Sequence, residues 1–237
     1  MVIARTAAMA FNRYIDRDID RLNVRTAVRE IPAGKVSPGS ALLLTIICCV
    51  FFILITWFIN PLCFYLSPVA LIVILGYSFT KRFTALCHLI LGLGLSLAPI
   101  GAYLSVTARF DIIPVFFSIV VLTWVGGFDI IYALQDEDFD KSQHLFSIPV
   151  AIGKPAALMV SGVLHFITAL FIVLIGLQGS FGWIYISGSA VFILLLIWQH
   201  LLVKPNDLSR VNMAFATTNG FASILFACFV IGELIFK

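Results

Sequence analysis

The sequence predicts an all-α fold, a polytopic membrane bundle of eight helical segments forming a single domain over residues 1–237. Three observations predict it. The chain is 61% hydrophobic and only 11% charged, whereas soluble domains carry about 25% charged residues. Its apolar residues fall in runs of roughly 18 to 24, long enough to cross a hydrocarbon core of about 30 Å. The charged residues collect between those runs, and mainly in every second connection.

The first segment, Met1–Leu22, begins apolar and ends densely charged. Ala41–Ile59 and Leu62–Phe79 form a pair across the turn at Asn60-Pro61, where proline suits a new helix start. Thr84–Val106 carries Gly92, Gly94, Ser96, Ala98 and Gly101, small residues that let helix backbones approach closely in lipid. Ile112–Leu134, Ala156–Leu177, Trp183–Leu202 and Val211–Phe236 complete the set. No cleavable signal peptide is evident, because the N-terminus runs straight into a charged helix. The five cysteines (Cys48, Cys49, Cys63, Cys87, Cys228) all lie in apolar runs without CxxC spacing. Neither a zinc site nor a disulfide framework is indicated, and small buried apolar side chains are the simpler reading.

Charge placement sets the expected topology. The connections Arg13–Lys35, Lys81-Arg82, Asp136–Lys154 and Lys204–Arg210 hold 12 of the 15 Lys and Arg residues. By the positive-inside rule they face the cytoplasm, and the C-terminus lies on the opposite side. The net charge of +3 is too small to suggest a nucleic-acid partner. Acidic residues follow the same split, with Asp16, Asp18, Asp20 and Glu30 in the first connection and Asp136, Glu137, Asp138 and Asp140 in the third.

Those two clusters carry the chemistry. Asn12, Asp16 and Asp20 are spaced four apart, so they line one slowly drifting stripe of a helix. Asp136 and Asp140 repeat the spacing. Each carboxylate pair sets like charges about 6 Å apart, at a cost of roughly 3 kcal/mol for an effective dielectric of 20. A cation offsets that repulsion, and oxygen-only ligands completed by phosphate oxygens suit Mg²⁺. The alternative is a solvated helix end, because Arg13, Arg17 and Arg21 interleave with the acids. Basic residues form a further element: Arg25 and Arg29 after the first cluster, and Lys81 and Arg82 between the two. Arg82 and Lys35 read equally well as anchors at the cytoplasmic leaflet. Metal carboxylates beside Arg and Lys are nonetheless what a diphosphate leaving group requires. Aromatic residues make up 14% of the chain, and any that line a cavity offer π faces to an allylic cation.

The segment Ala4–Asp20, with Asn12, Asp16 and Asp20, resembles the first aspartate-rich motif, NxxxDxxxD, of the UbiA superfamily of intramembrane aromatic prenyltransferases. Tyr132–Ser142, with Asp136 and Asp140, is similar to that superfamily's second motif, DxxxD. Tyr77-Ser-Phe-Thr-Lys81-Arg82 and Asn212–Gly220 fit as well. The resemblance implies a bundle of nine transmembrane helices around a lipid-open cavity. That is one hydrophobic helix more than the eight segments here; the resemblance places it ahead of the first motif, so either the sequence is truncated there or the helix is really absent. It also implies Mg²⁺-dependent prenyl transfer from a polyprenyl diphosphate to an aromatic acid. Asn12, Asp16, Asp20, Asp136 and Asp140 would serve the metal–diphosphate site, with Tyr77, Arg25, Arg29, Lys81 and Arg82 contacting substrate. Asp129 lies about two turns before Asp136 in an apolar helix, where a charge costs about 3 kcal/mol. It is expected beside the acceptor or the metal, or else as a hydrogen-bonded structural acid.

The continuation after Asp140, Lys-Ser-Gln-His-Leu-Phe-Ser-Ile-Pro, looks like the 4-hydroxybenzoate polyprenyltransferases of ubiquinone synthesis. Arg25–Pro32 also resembles a branch that prenylates 1,4-dihydroxy-6-naphthoate in futalosine-route menaquinone synthesis. Haem-farnesylating relatives share the first motif but fit the second region poorly. The implied location is the bacterial inner membrane, in contact with lipid, with the active-site end cytoplasmic. Two other classes compete. A secondary transporter places its acids near the midplane in broken helices, whereas here most of the acids cluster at one end, with Asp129 the lone deeper one. A non-catalytic membrane subunit is the other rival.

Overall fold

The computed structural model describes residues 1–236, which form helices joined by short connections, with no strand among them. In chain order these are α1 (Val2–Ile15), α2 (Arg17–Leu22), α3 (Pro38–Ile59), α4 (Pro61–Thr80), α5 (Cys87–Thr107), α6 (Ile112–Ala133), α7 (Glu137–Ser142), α8 (Ile148–Gln178), α9 (Trp183–Leu202) and α10 (Asn219–Phe236). A single 3₁₀ turn, Leu134–Asp136, joins α6 to α7, and a π-helical turn, Met213–Thr218, leads into α10.

Among the described residues seven helices are long and apolar enough to cross a membrane. They match seven of the eight expected segments. The remaining one, Met1–Leu22, is broken at Asp16 into α1 and α2. The 14 residues of α1 rise only about 21 Å.

Helix starts follow local chemistry. Ser37 caps α3 by accepting from the Ser40 amide, and Pro38 occupies its first turn. Asn60 caps α4 through the Cys63 amide while its own amide group donates to Leu104 O, tying that turn to the end of α5. Asp111 caps α6 through Ile113 N. Ser147 caps α8 through Val150 N, nine positions before the expected start at Ala156. The difference has a visible cause: Gly153 takes φ 78°, ψ 161°, so Gly153-Lys-Pro155 makes a second start inside what is otherwise one long helix.

Neighbours in sequence are neighbours in space. Helix α1 packs on α3 and α4, and contacts then run α4–α5, α5–α6, α6–α8, α8–α9 and α9–α10. Helices α5 and α6 pack backbone to backbone. A Cβ on Gly92 would stand 2.4 Å from the Leu122 carbonyl oxygen, so only glycine permits that approach. Gly94 sits at ordinary contact distance from Ile74, and Gly101 faces open space. Gly92→Val is therefore expected to cost about 2 kcal/mol or more by overpacking, read as a lower midpoint of unfolding in detergent. Gly101→Val should leave the midpoint unchanged. All five cysteines are free.

Candidate active site

The two aspartate motifs have the same local construction. Asp16 (φ −91°, ψ 5°) ends α1, and Asp136 (φ −98°, ψ 3°) ends the turn after α6. Both sit in the sparsely populated bridge region, where many active-site residues are found. Each is followed by a helix of six residues that carries the second acid, Asp20 on α2 and Asp140 on α7. The kinks turn the chain at one end of the bundle, where α4 finishes and α5 begins.

They meet across a cavity of about 250 Å³. Asn12, Asp16 and Asp20 line one wall, and Asp129 and Asp136 line another. Tyr77, Lys81 and Arg82 come from the end of α4, while Arg25 and Arg29 descend from the connection after α2. Asp140 is the one expected site residue that does not line the cavity. The bend at Asp136 carries it behind the wall, fully buried, where its carboxylate is 2.8 Å from Lys81 Nζ.

Every motif aspartate is matched by a base. Arg25 grips Asp136 with two nitrogens, Nε to Oδ1 at 3.1 Å and Nη2 to Oδ2. Arg29 donates to Asp20 Oδ1 at 2.6 Å. Arg82 reaches Asp16 at 3.3 Å and the Ile15 carbonyl at 2.7 Å. Asn12 donates to Asp16 Oδ2 at 2.8 Å. Burial opposes the charge on Arg25, but the Asp136 hydrogen bond and charge outweigh it and hold the guanidinium above its usual pKa. The interleaved Arg13 and Arg17 pair instead with Glu30 and Asp18, leaving Asp16 and Asp20 turned inward. Lys35 is exposed.

Several contributors were not singled out from sequence. Asn23 donates to Asp136 Oδ1 at 3.2 Å and accepts from the Arg25 amide, so it shapes the connection that delivers Arg25. Its place just after the first motif was the available signal. Tyr132, one turn before Asp136, takes a hydrogen bond from Arg25 on its hydroxyl, and the guanidinium lies over its ring. His88, a lone histidine in an apolar helix, bonds Asp129 Oδ2 through Nδ1 at 2.7 Å. Asp129 thus has a structural partner and a place on the cavity wall together.

Aromatic side chains continue inward from Tyr132. Trp124, Phe128 and Tyr132 recur every fourth residue, so they share one face of α6. Phe215 stacks on Tyr132 at 4.1 Å and meets Phe128 edge-on at 5.4 Å. Trp124 and Phe192 then border a second, apolar cavity of about 240 Å³ between α6, α9 and α10.

The acid set suits a hard divalent cation. Asp20 Oδ2 is buried without a hydrogen-bond donor, and an unpaired buried carboxylate oxygen is costly. Among the described residues no three His, Cys, Asp or Glu side chains already converge on one point. Any ion held there must draw part of its coordination from elsewhere, as Mg²⁺ does from phosphate oxygens and water.

Comparison with known proteins agrees with this architecture. A 4-hydroxybenzoate octaprenyltransferase from Aeromonas hydrophila is 28% identical over 236 residues, covering 98% of this chain and 80% of that protein. The apo structure of a UbiA homologue from Aeropyrum pernix K1 superposes with a TM-score of 0.89 at 31% identity, covering 98% of this chain and 86% of that one. A UbiA homologue from Archaeoglobus fulgidus bound to GPP and Mg²⁺ shares the fold, with a TM-score of 0.66 at 19% identity over 95% of this chain and 87% of its own. The model of the UbiA prenyltransferase family matches residues 1–227, and the chain therefore belongs to that family.

Proposed function

We propose that the chain, acting as one catalytic unit, transfers a polyprenyl group from its diphosphate to an aromatic acid, with 4-hydroxybenzoate as the acceptor. One observation carries this reading: two aspartate motifs 120 residues apart and four bases from other elements converge on a single cavity. The name of the Aeromonas relative and the GPP and Mg²⁺ bound by the Archaeoglobus homologue support it. The charged end is assigned to the cytoplasmic side of a bacterial inner membrane by its excess of Lys and Arg.

Asn12, Asp16, Asp20 and Asp136 are the side chains that would hold Mg²⁺ around the diphosphate, with Asp140 behind them through Lys81. Bound there, the metal supplies charge neutralisation for the departing oxygens. The resting pairs make binding an exchange of partners. Carboxylates engaged by the cation would free Arg25, Arg29 and Arg82 for phosphate oxygens, and Lys81, which lines the cavity from its place beside Asp140, would join them. Guanidinium groups suit that task because their fork matches phosphate bidentately. The prenyl tail lies along Tyr132, Phe128 and Trp124 toward the apolar cavity, and the surrounding helices exclude water.

In the reaction the carbon–oxygen bond to the diphosphate breaks, and its electron pair leaves with the diphosphate. A ring carbon ortho to the acceptor's hydroxyl gives a π pair to the allylic cation and forms the new carbon–carbon bond. The ring proton then leaves, onto released diphosphate or a carboxylate, and aromaticity returns. The test is transfer of a radiolabelled prenyl group in membranes containing the protein. Product is expected with Mg²⁺ and should fall to background with EDTA, returning on Mg²⁺ addition. Product unchanged by EDTA would contradict the metal site. Mass spectrometry with both 4-hydroxybenzoate and 1,4-dihydroxy-6-naphthoate present decides between the two acceptors suggested by the sequence.

A further inference from the structure

We propose that Asp129 and His88 form the acceptor end of the cavity: Asp129 receives the acceptor's ring hydroxyl, and His88 is the positioning residue that aims it. The inference rests on the prenyl-transfer reading and deepens it.

Asp129 differs from the motif aspartates in what it faces. Each of those is held by an arginine, a lysine or both an arginine and an amide, whereas the partner of Asp129 is the ring of His88. It lies on α6, seven residues before Asp136 in the turn that ends that helix, about 10 Å along the axis. That places it inward of the diphosphate-binding bases, on the side where a ring must lie to meet the prenyl carbon. The Asp129 side chain keeps 24% of its surface open while His88 keeps 4%, and both line the cavity. The bond to His88 uses Oδ2, so Oδ1 is the oxygen left for a ligand donor.

His88 is fixed from its other side. The Ile148 backbone amide, at the start of α8, donates to His88 Nε2 at 3.4 Å. A nitrogen that accepts carries no proton, so the ring proton sits on Nδ1 and points at Asp129. The histidine thus spans α5, α6 and α8 and fixes which carboxylate oxygen remains open. A carboxylate with one donor on one oxygen calls for a second donor on the other. A phenolic hydroxyl is such a donor, while the acceptor's own carboxylate is repelled from Asp129 and turned toward the bases at the mouth. Asp129 therefore selects for hydroxylated rings and sets which ring carbon faces the prenyl group.

The experiment uses the full chain in membranes, with Mg²⁺, a polyprenyl diphosphate and 4-hydroxybenzoate, measuring KM for each substrate and kcat separately. Asp129→Asn is expected to raise KM for 4-hydroxybenzoate about 10- to 100-fold, the range for a lost hydrogen bond to a charged group. KM for the diphosphate should stay within about 2-fold, because its binding groups are untouched. His88→Leu should raise the acceptor KM as well. His88→Asn, whose amide N–H can replace Nδ1, should restore it, which a merely structural histidine would not predict. Benzoate, lacking the hydroxyl, should compete equally well in wild type and Asp129→Asn. If Asp129→Asn does not accumulate as folded protein, the His88→Leu and His88→Asn pair gives the same reading. An unchanged acceptor KM in these variants, or equal rises in both KM values, overturns this inference while prenyl transfer by the wild type stands. No transfer by the wild type overturns the underlying reading and this inference together.

Discussion

Asp136→Ala is expected to reduce prenyl transfer by about 10³-fold or more, the scale set by removing one preorganised charge-stabilising group from an active site. Asp136 is the hub of the site, held by both Arg25 and Asn23, and it closes the wall facing Asp16 and Asp20. Removing it takes away a carboxylate of the proposed metal site and frees Arg25 from its place over Tyr132. Asp16→Ala should behave alike from the opposite wall. Both variants should still fold, because seven long helices pack without them, and circular dichroism in detergent checks this. Wild-type-like turnover by either variant would sink the proposed metal site.

The second large effect concerns stability and separates two roles of one lysine. The Asp140 side chain has no exposed surface, and Lys81 is its counter-charge at 2.8 Å. Breaking a buried pair from one side leaves an uncompensated charge and costs about 3–5 kcal/mol. Lys81→Met should therefore lower unfolding stability in detergent by that order and also reduce transfer, since Lys81 lines the cavity. The double variant Lys81→Met with Asp140→Leu should recover most of the stability and none of the activity. Additive losses in the double variant would show that the two side chains do not act as a pair, and recovered activity would remove Lys81 from the diphosphate site.

Much of this molecule was legible in its sequence because membranes impose strong patterns. Runs of 20 apolar residues admit few conformations in lipid, and a four-residue spacing places Asp16 with Asp20 whatever the rest of the fold does. Pairings between distant segments were not legible. Arg25 and Asp136 are 111 positions apart, and His88 and Asp129 are 41 apart; no local rule joins them. The breaks at Asp16 and Asp136 were hidden for another reason. Aspartate is tolerated in a helix, so only tertiary contacts reveal that the chain leaves helical geometry there. Small residues misled in part: of Gly92, Gly94 and Gly101, only Gly92 meets a backbone too close for a side chain.

The matched acids and bases around the cavity carry a last implication for selection on this surface. Each of the four motif aspartates is paired with its own base, so within those pairs the charges neutralise one another locally. If the site binds as proposed, magnesium alone would have to evict a base to enter, and pyrophosphate alone would have to evict an acid. Each reactant therefore prepares the ground for the other, and the pair together should bind far more tightly than their separate affinities suggest.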